Sequence, residues 1–317
     1  MRRPVVVLGD ANVDLLIDTP AEISGPVKPR IAPPQLHGGG TGANTAVGLA
    51  RLEVPVTFVG VVGDDGYGRM ICADLAQDGI DTSALVVRPD VFTPMVLALV
   101  YPNGERLLAI WPPDGGAPTH LRPEDIPVDV IRNAGWLHTT GISLRWRPVR
   151  EAALYAMQIA HEAGVPVSLD LNLRLELWGW ENDMRITLDR ALPLTDILFG
   201  SGPEEIVPLA DVDSVPEAAQ HLAGGKRTVV ARMGPQGALV ALPDGVAQQV
   251  SGFAVDVVDT LGAGDAFDSG FIAARVAGYD ALEAARWGNA TAALKITRQG
   301  ARAVPSRAEV MQLLGRP

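Results

Sequence analysis

The stretch Val258-Asp259-Thr260-Leu261-Gly262-Ala263-Gly264-Asp265-Ala266-Phe267 is the most informative part of this chain. Two glycines and an alanine allow a tight turn, and the apolar residues behind it recur at helical spacing, which predicts a helix. We therefore expect Asp265 in the first turn of that helix, beside unpaired backbone N–H groups. Helix N-termini attract anions. A carboxylate at such a place can accept the proton of a hydroxyl that attacks a phosphoryl group.

A second interpretation of the same stretch stays open at this point. Glycines followed by an aspartate also form an ordinary helix start, in which the acidic side chain only complements the helix dipole. The rest of the chain has to decide between a structural and a catalytic Asp265.

Composition excludes several classes of function. The chain has 317 residues, 47% of them hydrophobic, which suffices for a large buried core. The 26 basic and 37 acidic residues give a net charge of −11, which argues against nucleic-acid or anionic-membrane partners. The three lysines, Lys28, Lys226 and Lys295, stand outside any P-loop pattern. The run Gly38-Gly39-Gly40 does not follow a recognisable strand, so a dinucleotide-binding fingerprint is not predicted either.

The redox and targeting signals are sparse. Cys72 is the single cysteine, so we predict neither an intrachain disulfide nor a cysteine metal cluster. No stretch approaches the roughly 20 apolar residues of a membrane span. We expect a cytoplasmic protein without a membrane partner.

Alternating strand and helix patterns predict the fold class. Apolar runs at Val5–Leu8, Val56–Val62 and, beyond residue 128, several strands that alternate with helices favour an α/β fold. We predict a doubly wound, mainly parallel sheet with helices on both faces, built from residues 1–317 as a single domain. The proline-rich segment and two runs joined by Pro102-Asn103-Gly104, a hairpin signal, are left over. We expect these parts, roughly 15–38 and 92–112, to form a small β-sheet lid.

Polar residues follow the predicted strands at the edge where open α/β sheets bind ligands. Each alone is more often a turn or cap residue, and their convergence on one edge favours a site. The residues are Asp10, Asn12, Asp14, Asp170, Asn172, Arg174, Ser201, Glu204 and the segment 232–237.

Two motifs carry a family resemblance. One comprises Gly39-Gly40-Thr41-Gly42-Ala43-Asn44-Thr45-Ala46 with Val59-Gly60-Val61-Val62-Gly63-Asp64-Asp65-Gly66, and the other is the stretch around Asp265. Together with the ending Thr297-Arg298-Gln299-Gly300-Ala301, they make nearly the whole chain resemble the ribokinase-like, or PfkB, family of carbohydrate kinases. The resemblance implies ATP and Mg²⁺ as cofactors and a sugar hydroxyl as phosphoryl acceptor.

The resemblance also implies roles for residues that match the family's motifs. Asp265 is similar to the catalytic base, next to an anion hole formed by Gly262, Ala263 and Gly264. The expected sugar-binding residues are Asp14, Gly39, Gly40, Asn44, Asn172 and Arg174. The expected nucleotide-binding residues are Ser201, Arg232, Gly234, Gly237 and Asn289.

Two metal sites follow from the same resemblance. Glu204 would act on Mg²⁺ through water, with Glu205 as a rival, although Ser201 stands where the family often has asparagine. Asp259, with the carbonyls near Arg298 and Gly300, is similar to a monovalent-cation site, which makes K⁺ a candidate.

The acceptor is predicted only as a class. The motif Leu169-Asp170-Leu171-Asn172-Leu173-Arg174, with Leu177-Trp178, resembles the fructokinase and 2-keto-3-deoxygluconate kinase branches. In the second branch the arginine of this motif helps bind a carboxylate, as a guanidinium fork can. The alternative for Arg174 is a surface salt bridge. Gly141 stands where ribokinases tend to have an acidic residue, which disfavours ribose.

We therefore expect an ATP-dependent kinase of a hexose or keto sugar acid, which acts on a small-molecule sugar. A nucleoside kinase of the adenosine or pseudouridine type is one alternative, with Phe92 and Trp111 as the aromatic candidates in the lid. A catalytically inactive sugar-binding regulator is the other. We also expect a homodimer that pairs through the lid.

Overall fold

The computed structural model describes residues 3–19, 33–101, 106–175 and 182–316. The turn Pro102-Asn103-Gly104, the pair Leu177-Trp178 and part of the segment 15–38 lie outside the described residues.

Within the described ranges, nine strands form the large sheet and four form a smaller one. In chain order the strands are β1 Val5–Leu8, β2 Asn12–Asp18, β3 Gln35–Gly39, β4 Val56–Gly63, β5 Leu85–Arg88, β6 Met95–Val100, β7 Arg106–Trp111, β8 Trp136–Thr140, β9 Val167–Asp170, β10 Ile197–Ser201, β11 Thr228–Arg232, β12 Ala238–Ala241 and β13 Ala247–Val250.

The α-helices of the described chain lie between and after these strands. They span Thr41–Arg51, Gly66–Gln77, Val128–Arg132, Val149–Glu162, Asn182–Ala191, Val207–Ala210, Val215–Ala223, Ala263–Val276, Ala281–Ile296 and Arg307–Leu313. We call Ala263–Val276 the base helix. No helix in the described ranges is both long and apolar enough to span a bilayer.

The large sheet has the order β13-β12-β11-β10-β9-β8-β1-β4-β5. From β10 to β5 every pair is parallel, and β12 and β13 add an antiparallel edge. Successive side chains of a strand point to opposite faces. Accordingly, Val6 and Leu8 pack into the core on one face and Val5 and Val7 into the core on the other. The predicted doubly wound fold with helices on both faces is confirmed.

The small sheet has the order β3-β2-β6-β7. Strand β2 pairs antiparallel with β3 and parallel with β6, and β6 and β7 form the predicted antiparallel pair. The sequence did not predict a strand before or within Gly38-Gly39-Gly40, and this interpretation was wrong, because Gln35–Gly39 is a strand. A strand at a sheet edge tolerates glycines that have no side chain to pack. The closing motion of a lid, and the single-domain boundaries 1–317, stay predictions.

The order of the large sheet places the site. From β1 the chain moves to β4 on one side and later to β8 on the other, so β1 and β8 mark the switch point of the fold. Ligands of open α/β sheets bind at such a point, beyond the carboxyl ends of the strands. The ends of β1, β8, β9, β10 and β11 therefore converge with the N-terminus of the base helix.

Candidate active site

The base helix begins as the sequence predicts. Gly262 precedes it with φ 76°, a left-handed conformation that favours glycine. Gly264 and Asp265 lie in the first turn, where helix geometry leaves N–H groups without an intrahelical partner. The structure corrects one detail of the predicted anion hole, because the Ala263 N–H donates to the Thr260 carbonyl at 3.1 Å. The first-turn amides of Gly264 and Asp265 are thus better placed to hold an anion than that of Ala263.

The Asp265 carboxyl group is buried, with 7% of the residue exposed. The Asn44 side chain donates Nδ2–H to Asp265 Oδ2 at 2.8 Å. Burial raises the pKa of Asp265 to about 7, and the negative charges of Asp170 and Asp10 add to this, while Asn44 and Arg174 oppose it. A carboxyl group with this pKa can exchange a proton near neutral pH, as a general base must.

The residues expected to hold the sugar meet at one place. A Cβ on Gly39 would lie 2.5 Å from Asp14 Oδ2, so the absence of a side chain at Gly39 lets the strand pass close to this carboxylate. Asn12 donates Nδ2–H to Asp14 Oδ1 at 2.7 Å, and burial raises the pKa of Asp14. Gly40 is the N-cap residue of the helix that carries Asn44. Short polar side chains beside glycine backbone suit a ligand with several hydroxyl groups.

Arg232 lies beside the N-terminus of the base helix, where two carboxylates hold its guanidinium. Its Nη2 is 2.7 Å from Asp170 Oδ1 and its Nη1 is 2.9 Å from Asp268 Oδ1, with 17% of the side chain exposed. A Cβ on Gly264 would lie 3.2 Å from Arg232 Nη1, so the guanidinium borders the first turn of the base helix. It can place positive charge where phosphate oxygens would meet the N–H groups.

The charged groups around Arg232 shift one another's pKa values. Burial alone would lower the pKa of Arg232, but the Asp170 and Asp268 carboxylates outweigh it and raise this pKa above its usual range. Burial alone would likewise raise the pKa of Asp170, but Arg232 outweighs it, and that pKa is lowered. Asp268, with 1% of its side chain exposed, has a raised pKa because of burial and the nearby Asp170. Sequence reasoning missed Asp268, although it stands three residues after Asp265.

The other residues expected at the nucleotide lie on neighbouring turns. Gly234 and Gly237 flank a short turn after β11 with φ 57° and 92°. Asn289 is buried and donates Nδ2–H to the Val250 and Ser251 carbonyls at 3.0 and 3.1 Å. Asn289 therefore holds the end of β13 in the structure, and a direct contact with an adenine stays a prediction.

Asn172 and Arg174 follow β9 in an unusual backbone conformation. Their φ angles are 35° and 51°, although neither is glycine. Such conformations cost energy and cluster at functional sites. Arg174 is exposed, forms no ion pair with any described residue, and lies close enough to Asp265 to lower the pKa of that carboxyl. Among the described residues, the structure gives no support to a surface salt bridge of Arg174.

The sequence profile of the pfkB family carbohydrate kinase matches residues 2–308. The chain belongs to the pfkB family of carbohydrate kinases. It is thus a sugar-kinase-family protein and a phosphotransferase. The catalytic interpretation of the stretch around Asp265 is compatible with this class and stays a prediction.

Curated relatives of this pfkB kinase have several substrates in their names. The fructokinase of Vibrio alginolyticus is 30% identical, over 98% of this chain and 99% of its own length. The 5-dehydro-2-deoxygluconokinase of Shouchella clausii is 29% identical, over 98% and 95%. The aminoimidazole riboside kinase of Salmonella typhimurium is 32% identical, over 94% and 90%.

Solved structures show the same fold. A protein from E. coli in complex with ATP and Mg²⁺ has a TM-score of 0.85 and 26% identity, covering 99% of this chain and 100% of its own. A double mutant of the fructokinase from Vibrio cholerae O395, with fructose, ADP and potassium ion bound, has a TM-score of 0.84 and 32% identity, covering 99% and 98%.

Two neighbouring carboxylates after β10, Glu204 and Glu205, are the candidates for acting on Mg²⁺ through water. Glu205 is buried and accepts N–H groups from Ser201 at 2.8 Å and Leu173 at 2.6 Å, whereas Glu204 lies on the exposed face of the turn. Glu205 Oε2 is 3.9 Å from Arg232 Nη2, and burial together with Asp170 raises the pKa of Glu205. The carboxylate has lone pairs left for a water molecule on Mg²⁺, an ion that usually keeps several waters. Ser201 contributes its backbone N–H to this arrangement.

The monovalent-cation site fits this chain less well. Asp259 is buried, and its carboxylate accepts N–H groups from Leu261 at 3.0 Å and from Gly300 at 2.9 Å. The fully buried Lys295 donates Nζ–H to the Asp259 carbonyl at 2.8 Å. The positive charge of the Lys295 ammonium group, which lies against the Asp259 carbonyl oxygen, disfavours a second cation at this oxygen.

Proposed function

We propose that this chain transfers the γ-phosphoryl group of ATP to a hydroxyl of a hexose or keto sugar acid, of the fructose or 2-keto-3-deoxygluconate type. One observation carries the proposal. The buried Asp265 carboxyl, with a pKa of about 7, lies beside the first-turn N–H groups of the base helix, and the Arg232 guanidinium borders the same turn at Gly264.

Each part of this arrangement has a task in the proposed reaction. Asp14, Asn44 and the backbone at Gly39 would hold the sugar so that one hydroxyl faces Asp265. Asp265 would take the hydroxyl proton as the new bond to phosphorus forms. The N–H groups of Gly264 and Asp265, together with Arg232, would stabilise negative charge on the phosphoryl oxygens.

The metal has a supporting part in this proposal. Mg²⁺ neutralises charge on the β- and γ-phosphates when it is bound. Glu205 would orient water on the ion. Asp170 and Asp268 would hold Arg232 in the position from which it faces the phosphates.

Arg174 supports an acidic acceptor over a neutral one. Arg174 is exposed, lies close enough to Asp265 to lower the pKa of that carboxyl, and makes no ion pair with described residues, while a planar guanidinium binds a carboxylate in a bidentate manner. The name of the Shouchella clausii relative, a kinase of a keto sugar acid, agrees with this choice.

A substrate screen of the purified protein tests the proposal. ADP formation is measured with fructose, ribose, 2-keto-3-deoxygluconate, 5-dehydro-2-deoxygluconate and nucleosides. An acidic substrate predicts that Arg174→Met raises KM for the keto sugar acid by roughly tenfold or more and leaves KM for any neutral sugar unchanged. Arg132→Met is the matched control. Arg132 is exposed and precedes β8, so it lies at the amino-terminal ends of the strands, away from the carboxyl ends that form the site. Absence of turnover with every sugar would refute the proposed function.

A riboside is the second candidate acceptor. Phe92 and Trp111 pack edge to face with ring centroids 4.3 Å apart, and Tyr67 packs against Phe92 at 5.8 Å. Trp111 keeps 54% of its surface exposed, so its ring is available to stack on a base. The Salmonella typhimurium relative, named as a riboside kinase, supports including nucleosides in the screen.

We further propose that the chain works in the cytoplasm as a homodimer paired through the small sheet. Four apolar residues of this sheet expose 40% or more of their surface: Leu36, Leu107, Ile110 and Trp111. Exposed apolar residues on a small sheet favour pairing. Sedimentation equilibrium should give a dimer that Leu107→Lys weakens, and a monomer at all concentrations would refute the pairing.

A further inference from the structure

Arg302 lies behind Asn44, on the side remote from Asp265, and was not among the residues that the motifs suggested. Its Nε donates to Asn44 Oδ1 at 3.3 Å and its Nη2 donates to the Gly39 carbonyl at 2.9 Å. The third guanidinium nitrogen, Nη1, is 3.6 Å from Asp74 Oδ2, and 11% of the side chain is exposed.

The chemistry of these groups fixes the orientation of the Asn44 amide. Arginine has donors only and an ionised carboxylate has acceptors only. With Asn44 Oδ1 toward Arg302, its Nδ2 must face Asp265, as the 2.8 Å hydrogen bond shows. In the opposite orientation, the Asn44 NH₂ group would face the N–H groups of Arg302, and the Asn44 oxygen would face a carboxylate oxygen of Asp265.

We propose that Arg302 is a positioning residue for phosphoryl transfer, which holds the Asn44 amide so that it donates to Asp265 and keeps that carboxylate aimed at the acceptor hydroxyl. This inference rests on the proposed function. Arg302 touches neither sugar nor nucleotide in this scheme, and it acts through Asn44.

A purely structural tether is the competing explanation, and the chain offers a control for it. Arg51 donates Nη1–H to the Arg302 carbonyl at 2.7 Å and to the Val304 carbonyl at 3.4 Å. Arg51→Met therefore loosens the same segment without changing what faces Asn44.

Other charged groups also act on Asp265 and remain in every variant. On Asp265 itself the neighbours are Asp10, Asp170, Arg174 and Asp268. Around Arg302 they are Asp14, Asp74, Asp78 and Arg51. Asp14 belongs to the sugar side, so loss of Arg302 alters KM through Asp14 and alters kcat through Asn44.

The test compares kcat as a function of pH for the wild type, Arg302→Met and Arg51→Met, at saturating sugar and Mg-ATP. With Arg302→Met we expect kcat to fall by roughly tenfold. We also expect the low-pH limb (the acid limb) of the kcat–pH profile to move to higher pH by about half a pH unit to one pH unit, which corresponds to the free energy of one hydrogen bond. Arg51→Met should leave the acid limb unmoved. In an Asn44→Leu background, Arg302→Met should give no further shift.

Two further variants keep the inference testable if Arg302→Met fails to fold. Arg302→Lys retains a side chain with donors only and should keep the wild-type acid limb. Arg302→Gln can both donate and accept, which releases the Asn44 amide, and should move the limb upward. Coincident limbs for all variants would overturn the inference while the kinase function stands. Absence of wild-type turnover would instead refute the function.

Discussion

Asn44 and Asp265, 221 positions apart in the chain, are joined by a hydrogen bond of 2.8 Å between Nδ2 and Oδ2. Each residue belongs to one of the two motifs, and both are buried at helix N-terminal turns. The bond links the side expected to hold the sugar to the side expected to hold the phosphates. It also opposes the rise in the pKa of Asp265 that burial causes.

Asp265→Asn should lower kcat by at least about 1,000-fold, because the amide cannot accept the hydroxyl proton. ATP binding should be little changed, since the first-turn N–H groups and Arg232 remain. Steady-state kinetics and calorimetric titration with ATP measure the two quantities. Asp280→Asn is the matched control, because Asp280 caps the neighbouring helix Ala281–Ile296 and lies at no cleft described above. A kcat within tenfold of wild type would remove Asp265 as the base.

The same substitution should stabilise the fold in a pH-dependent way. The pKa of Asp265 rises from 3.8 to about 7 on folding, so the native state binds more protons than the unfolded state between these values. Its stability therefore declines as pH rises through that window, and the full cost is present above about pH 7. Urea unfolding should find Asp265→Asn more stable than wild type by roughly 1–4 kcal/mol at about pH 8, with the gap closing toward about pH 4. An equal gap at both pH values would contradict this.

Removal of Arg232 should destabilise the protein as well as weaken ATP binding. Arg232→Met leaves the buried carboxylates of Asp170 and Asp268 without their common partner, a loss that typically costs about 3–5 kcal/mol. Arg232→Lys should cost less but lose the fork geometry. Denaturant unfolding checks the stability, and Arg69→Met, at an exposed ion pair with Asp64, should change it by less than about 1 kcal/mol. Similar losses for the two methionine variants would count against the cluster.

Potassium should have little effect on turnover. Lys295 donates to the Asp259 carbonyl, and the Asp259 carboxylate holds the Leu261 and Gly300 N–H groups. K⁺ is coordinated by such oxygen atoms when it binds to a protein. We expect kcat and the melting temperature in KCl, NaCl and choline chloride to agree within about twofold and about 1 °C. Activation by KCl of more than about tenfold would show that the cation site is functional.

The sequence predicted the local features well. Helical spacing behind Gly264 placed Asp265 in the first turn of the base helix, and alternation placed β1, β4 and β8 through β12. These predictions succeeded because periodicity and turn chemistry act over a few residues. Most of strand β3 falls in the segment 15–38 that was expected to join the lid sheet. Its continuation through Gly38 and Gly39 was not predicted, because glycines are tolerated at a sheet edge that long-range pairing creates.

The predictions of pairing between distant side chains were weaker. The choice between Glu204 and Glu205 depends on which way a single turn faces, which spacing does not determine. Hydrogen bonds join Arg232 to Asp268 and Arg302 to Asn44, which are far apart in the chain. No local sequence pattern predicts such contacts.

The sequence by itself determined the family, the doubly wound sheet and the presence of a carboxylate at a helix start, because short-range sterics and hydrophobic periodicity encode them. Only the tertiary structure decided that Asp265 is buried deeply enough for its pKa to reach about 7. It also decided that Arg232 is held by two carboxylates and that Lys295 lies against Asp259. Burial and charge pairing depend on which elements pack together, and the identity of neighbours along the chain does not contain that information.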